Sequence, residues 1–362
     1  MTSPDDLPAG ARFAEPSAIS ASSSVIHDLS AIDFARPGVS HYQLAFHLDN
    51  TWGYSLVPLT VINGTRPSPG DPPPGVAVFG GTHGNEYEGQ VAVARLCADL
   101  DPARMSGLVI LMPQLSETAC RAGTRSSPVD GVNMNRAFPG SASGTVSSRI
   151  AHFVTSQVFP RVRVVLDMHA GGRESVYPPC TSFHPLADEQ QRKETALVAS
   201  LFDTPFTFVY SSDMASGLLT DQAEAEGKVT VGGEFGAGEA TSPGGIRLVY
   251  EGVKNVLRHY QMLDGPVAKI DASRLSPPRL VQAPFLDDYR PCPRTGVWER
   301  ALLPGADVRA GDLIGRIHDF DDHPAQAHEV RAHRDGVLIA SFLGARCTRG
   351  LTLFVIAEDT QI

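Results

Sequence analysis

Along the first three quarters of the chain, short apolar runs alternate with stretches of helical periodicity. SLVPLTVI (Ser55–Ile62) and GVAVFG (Gly75–Gly80) read as strands separated by a Pro/Gly loop, and Tyr87–Leu100 spaces its apolar residues as a helix does. Leu108–Pro113 reads as a short buried strand, Val146–Phe159 as a helix and Val162–His169 as another strand. The segment from Asp188 to Phe202 is helical, Phe206–Tyr210 and Lys228–Glu234 are strand-like, and Ile246–Leu263 is a long helix. Strands interleaved with helices predict an α/β fold with a mixed, mostly parallel sheet flanked by helices.

After Gly265 the pattern changes. A Pro-rich stretch, SRLSPPRLVQAPF, leads into short strand-like pieces punctuated by Gly and Pro. This predicts three regions: a flexible tail over 1–30, an α/β domain over 31–274, and a smaller all-β, barrel- or half-barrel-like C-terminal domain over 275–362. Within the last, Val308–Gly315 resembles the turn of a biotinyl/lipoyl-type half-barrel, and Ala332–Leu338 resembles its next hairpin. That domain contains no lysine, which argues against a carrier role.

Composition narrows the function classes. Forty acidic against 30 basic residues give a net charge of −10, which disfavours nucleic acid and anionic membranes as partners. No apolar run is long enough to span a bilayer, and the acidic N-terminus is not a signal peptide. Five widely spaced cysteines with no C-x-x-C read as a reduced, cytoplasmic protein. An apolar edge on the β-rich domain would allow a homo-oligomer. The 28 prolines, about 8% against a usual level near 5%, lie mostly in loops and at boundaries.

Four segments carry chemistry. Gly80-Gly81-Thr82-His83-Gly84-Asn85-Glu86 sits where a strand hands over to a helix, where open α/β sheets place ligands. His83 and Glu86 there would offer an imidazole and a carboxylate to one ion. Leu166-Asp167-Met168-His169 ends another strand, and His169 would complete a two-His, one-Glu set with a fourth position open to water. Asp167 reads equally as an orienting partner or as a capping carboxylate. The loop from Arg121 to Gly140 carries Arg121, Arg125, Asn133, Asn135 and Arg136, suited to a substrate carboxylate or a developing oxyanion. Glu234, among glycines at a further strand end, would serve as general base and then acid. Each segment alone also fits a bland role: core histidine, cap, solvated loop or surface glutamate.

Together and in this order, G-G-T-H-G-N-E, N-M-N-R-A-F-P-G, L-D-M-H-A-G-G and G-E-F-G resemble the succinylglutamate desuccinylase/aspartoacylase family of zinc carboxypeptidase-like hydrolases. The opening D-F-A-R-P-G and the T-R-S-S-P-V-D segment resemble the branch that deacetylates N-alpha-acetyl-L-2,4-diaminobutyrate in ectoine catabolism. The resemblance implies one Zn²⁺ per chain on His83, Glu86 and His169, with Glu234 as catalytic base and acid. It further implies that Asn135 and Arg136 bind the substrate carboxylate and that Arg125, with Arg121 as competitor, polarises the scissile carbonyl. The implied reaction is hydrolysis of a small N-acyl amino acid to a carboxylic acid and a free amino acid. A same-fold amidohydrolase or carboxypeptidase acting on another small substrate, and an inactive binding protein, are the competing readings. For a substrate ammonium, Asp130, Asp213 and Glu239 are candidate partners.

Overall fold

The computed structural model describes residues 23–362 apart from 69, 71, 72, 215, 275 and 322–325. Strands β1 (Ser24–Ile26), β2 (Gly38–His47), β3 (Tyr54–Thr65) and β4 (Val76–Gly80) lead into helix α1 (Tyr87–Asp99). Then come β5 (Ser106–Met112), α2 (Glu117–Ala122), α3 (Val146–Phe153), β6 (Val164–His169), β7 (Ser175–Val176) and β8 (Cys180–Phe183). Helix α4 (Glu189–Ser200), β9 (Phe206–Tyr210), α5 (Leu219–Ala225), β10 (Val229–Glu234) and α6 (Pro243–His259) complete the helix-bearing part.

These strands form one mixed sheet in the order β1-β2-β3-β5-β4-β6-β10-β8-β9. The central run β5-β4-β6-β10 is parallel throughout. Its strands are apolar on both sides, as a sheet covered on both faces requires. Leu96 of α1 and Val253 of α6 cover one face, in a core that includes Val78 and Leu166. Ile150 and Phe153 of α3 cover the other, against Phe79 and Val165. The helix expected over Val146–Phe159 is α-helical only to Phe153. It then widens into a π turn and ends in a 3-10 turn at Phe159–Arg161, where Pro160 has no N–H to continue the ladder.

The C-terminal region comprises β11 (Arg279–Ala283), β12 (Tyr289–Pro291), β13 (Gly296–Arg300), β14 (Asp307–Val308), β15 (Leu313–His318), β16 (His328–Arg331), β17 (Gly336–Phe342), β18 (Arg346–Cys347) and β19 (Thr352–Asp359). β16, β15, β13 and β18 make a separate four-stranded sheet around Trp298, Ile314 and Ile317. The half-barrel-like turn and hairpin lie against each other: Gly311 N donates to Ala332 O at 2.8 Å, and Ala310 N to Asp335 Oδ1 at 2.8 Å.

The regional boundaries read from sequence are not breaks in the sheet. Residues 1–22 of the expected tail lie outside the described residues. From Ser24 onward the chain is already paired, with β1 parallel to β2. At the other boundary, β11 pairs with β9 on one side and β19 on the other, so the main sheet runs on into β19, β17 and β14. No helix among the described residues is long and apolar enough to cross a membrane.

Val281, fully buried in β11 at this junction, packs with Phe208 of β9 and Val355 of β19. Val281→Ala should cost about 2–3 kcal/mol through lost methyls and the cavity they leave. In urea, far-UV and tyrosine signals should shift together, as one transition. A separate earlier transition for the C-terminal strands would contradict a mechanically continuous sheet.

Candidate active site

Parallel neighbours β4, β6 and β10 end at the same edge of the sheet. The register pairs Gly80 with Met168 and Glu234 with His169. His169 and Glu234 are thereby side by side, and the turn leaving β4 brings His83 and Glu86 to them. That turn is packed tightly: a Cβ on Gly84 would lie 2.0 Å from the carbonyl carbon of Ala119. Only glycine allows this approach. Glu86 is the N-cap of α1, with extended backbone.

The Glu86 carboxylate is the hub. Oε1 lies 2.9 Å from His83 Nδ1 and 3.1 Å from Arg125 Nη1. Oε2 lies 2.9 Å from His169 Nδ1 and accepts a hydrogen bond from Ala170 N at 3.1 Å. Both imidazoles therefore turn Nδ1 toward Glu86. Both Nε2 atoms are held by protein oxygens: His83 by Asn133 Oδ1 at 3.1 Å, His169 by Asp167 Oδ2 at 2.8 Å. Asp167 is itself fixed by Thr82 Oγ1 at 2.7 Å. Of the two readings open for Asp167, it thus orients His169.

Electrostatics follow from burial and proximity. Burial favours neutral Glu86, but His83 and His169 outweigh it and hold the carboxyl well below its usual range. Burial pulls His169 down, yet Asp167 and Glu86 outweigh it and hold the imidazole well above its ordinary value. His83 is lowered by burial. Glu234 is pushed up to about 8 by burial and by the Glu86 charge.

The donor set fits a metal ion. His83, Glu86 and His169 each bring one ligand atom to within 4.8 Å of the others. His83 Nδ1 is buried and lacks a hydrogen-bond partner despite its closeness to Glu86, and Glu234 Oε2 is likewise buried and unpartnered. Two nitrogens, a carboxylate and an open side suit a catalytic zinc site, with Asn133 and Asp167 fixing the imidazoles.

A cavity of about 260 Å³ opens onto this group and is also lined by Arg125, Asn135, Arg136 and Glu234. Arg125 follows the Gly123 left-handed cap of α2, and Thr124 O accepts from Gly84 N at 3.0 Å, which ties the arginine loop to the ligand turn. Arg121 does not enter. Its side chain is 73% exposed and pairs with the buried Glu117 one turn earlier in α2. Asn135 Oδ1 accepts from Leu219 N at 2.9 Å, which leaves its NH₂ end to donate. Arg136 donates to Asn135 O at 2.6 Å, and burial and Arg125 lower its pKa from the ordinary arginine value.

None of the three acidic candidates for an ammonium lines the cavity. Asp130 caps α3 through Ser147 N at 2.9 Å, Glu239 bridges Arg173 and Asn85 at 2.8 and 3.0 Å, and Asp213 is exposed. What sequence reasoning missed is the aromatic lining: Tyr177, Phe208, Tyr210 and Tyr289. They come from the end of β7, from β9 and from β12, elements far apart in sequence whose spacing signals no shared wall.

Gly84→Ala should destabilise the protein by on the order of 3 kcal/mol, because the clash is with backbone. It should also lower metal content. A variant with unchanged melting temperature and metal content would refute the close-approach argument.

Residues 72–260 match the model of the succinylglutamate desuccinylase/aspartoacylase catalytic domain. The chain is 34% identical over 336 residues to an N-alpha-acetyl-L-2,4-diaminobutyric acid deacetylase of Halomonas elongata, covering 92% of this chain and 95% of that protein. A succinylglutamate desuccinylase/aspartoacylase structure from Rhodobacter sphaeroides superposes with a TM-score of 0.85 at 33% identity, covering 92% of this chain and 98% of that one. The product-bound ectoine utilization protein EutE (DoeB) of Ruegeria pomeroyi gives 0.82 at 30%, covering 91% and 97%. The chain belongs to the succinylglutamate desuccinylase/aspartoacylase family.

Proposed function

We propose that the protein is a zinc-dependent deacylase of small N-acyl amino acids, with N-alpha-acetyl-L-2,4-diaminobutyrate as substrate and acetate and diaminobutyrate as products. The observation that carries this reading is the meeting of two histidine Nδ1 atoms and the Glu86 carboxylate beside a buried Glu234 and two cavity-lining arginines. The similarity to a deacetylase of that substrate along nearly the whole chain supports the same reaction. The five free cysteines fit a reducing, cytoplasmic setting.

His83, Glu86 and His169 would hold one zinc ion, which when bound polarises the amide carbonyl and acidifies its water toward pH 7. The protein's own groups do the rest. Arg136, with the Asn135 amide, anchors the α-carboxylate through charge-assisted hydrogen bonds. Arg125 faces the cavity beside Glu86 and stabilises negative charge developing on the carbonyl oxygen. Glu234 takes a proton from the attacking water as its oxygen bonds to the acyl carbon. It then gives that proton to the amide nitrogen as the C–N bond breaks. Burial favours this relay, because a carboxyl titrating near neutrality both accepts and returns a proton readily.

Glu234→Gln should lower kcat by about 10²–10⁴ while the protein still holds one zinc per chain, measured by hydrolysis assay and elemental analysis. A near-normal kcat would remove Glu234 from the mechanism. Arg136→Ala should raise KM for N-acetyl amino acids roughly thirtyfold, with little effect on the corresponding carboxamides. An equal loss on acid and amide substrates would count against a carboxylate anchor.

A further inference from the structure

The cavity wall contains more than the reaction centre requires. Tyr177, Phe208, Tyr210 and Tyr289 line it together. Phe208 belongs to a small core of β8, β9, β11, β17 and β19, and all three tyrosines pack against that core. The Phe208 and Tyr210 rings lie 6.1 Å apart at 40°.

The hydroxyls of these tyrosines are engaged within the protein. Tyr289 donates to Ala283 O at 3.2 Å and receives Ser211 N at 3.0 Å. Tyr210 lies 3.4 Å from Thr220 Oγ1. Burial and the Glu234 charge keep the Tyr177 phenol well above its ordinary pKa, so it stays neutral. What the wall presents is therefore uncharged ring surface.

Charge accounting gives that surface a purpose. Among the described lining residues, the carboxylates are Glu86 and Glu234 and the guanidiniums are Arg125 and Arg136. Glu86 is committed to the histidines, Arg125 contacts Glu86, and Glu234 stands beside His169 at the end of β10. One cation, Arg136, is left for one carboxylate. A second carboxylate on the substrate meets no further guanidinium among the described lining residues, whereas a side-chain cation meets aromatic rings, whose π-systems attract it.

The acidic side chains that act on Tyr210 from outside the cavity, Glu224, Asp221 and Asp167, are already paired. Glu224 Oε2 lies 2.8 Å from His184 Nδ1, and Asp221 Oδ1 lies 3.4 Å from His184 Nε2. Asp221 also accepts from Leu218 N at 3.2 Å. The His184 ring lies against Tyr210 with centroids 4.0 Å apart and the planes tilted by 48°, so this cluster braces the wall.

We propose that Tyr177, Phe208, Tyr210 and Tyr289 form the subsite for the amino-acid side chain and select a short chain ending in a cation, held by ring faces instead of a carboxylate. This rests on the deacylase reading above, and it accounts for how that site takes an ammonium-bearing amino acid.

The test is kcat/KM of the zinc-loaded full chain on N-acetyl-diaminobutyrate, N-acetylnorvaline and N-acetylaspartate, which present a cationic, a neutral and an anionic side chain. The wild type should prefer the cation to the neutral chain by about tenfold or more, with the dianion last. Tyr289→Leu and, separately, Phe208→Leu should lower the cation-to-neutral ratio roughly tenfold, and Tyr289→Phe and Asp221→Asn should preserve it. Taking the ratio within one preparation cancels any loss of folded enzyme. Equal wild-type rates on cation and neutral chain would overturn the subsite alone. So would a ratio lost in Tyr289→Phe, or one lost in Asp221→Asn but kept in both leucine variants. If none of the three is hydrolysed, the deacylase reading falls and the subsite with it.

Discussion

A buried carboxylate organises this molecule. Glu86 is almost wholly removed from water, where an isolated charge is costly. Its compensation arrives from three different parts of the chain: His83 in its own turn, Arg125 from the loop after α2, and His169 with the Ala170 amide at the end of β6. None of these partners is adjacent to another in sequence except the last two. The β4 turn, the arginine loop and the β6 end are therefore held to one point by a single charge. A divalent ion among the same atoms would take over part of that compensation, and metal binding would then be linked to the ordering of all three segments.

The parts of this arrangement that depend on period and on strand ends were legible in the sequence. Fully apolar strands such as Val76–Gly80 and the strand ends that carry His169 and Glu234 announce themselves by short runs closing in polar residues among glycines. The candidate ligand pair His83 and Glu86 was legible because a strand-to-helix turn leaves few orientations. Less visible was β2. Its residues 38–47 mix two histidines and a tyrosine into the apolar pattern, because its burial rises along its length instead of alternating regularly. β8 is only four residues long and α5 seven, too short for any period to stand out. The choice between Arg121 and Arg125 is a tertiary matter: α2 leaves the first at the surface, paired with Glu117, and the Gly123 cap redirects the chain so that the second lines the cavity.

Pairing across the apparent domain boundary has a functional consequence. β7 pairs with β17, and Leu343 N donates to Glu174 O at 2.8 Å, so the segment after His169 is laid down as a strand on the C-terminal region. Ser175 and Tyr177, which line the cavity, are carried by that segment, and Tyr289 comes from the C-terminal region itself. The wall opposite the reaction centre is thus registered to it by hydrogen-bonded ladders through β9, β11 and β19. Such ladders fix distances more closely than docking between separable domains would. A composition change in the sequence marks where the architecture switches from α/β to all-β, and the sheet nonetheless passes through it.

The outside and inside of the protein make opposite electrostatic statements. A net charge of −10 repels anions from a distance, but at physiological salt that field fades within about 8 Å. Discrimination among small charged substrates therefore happens inside the cavity, where charges are desolvated and act strongly. There Arg136 is lowered by burial and by Arg125, so an approaching carboxylate relieves an existing strain on the cation as well as gaining a partner. Arg125 spends much of its charge on Glu86. How many carboxylates a substrate can carry is thus decided by how many guanidiniums remain uncommitted within reach, and the surface charge has little part in it.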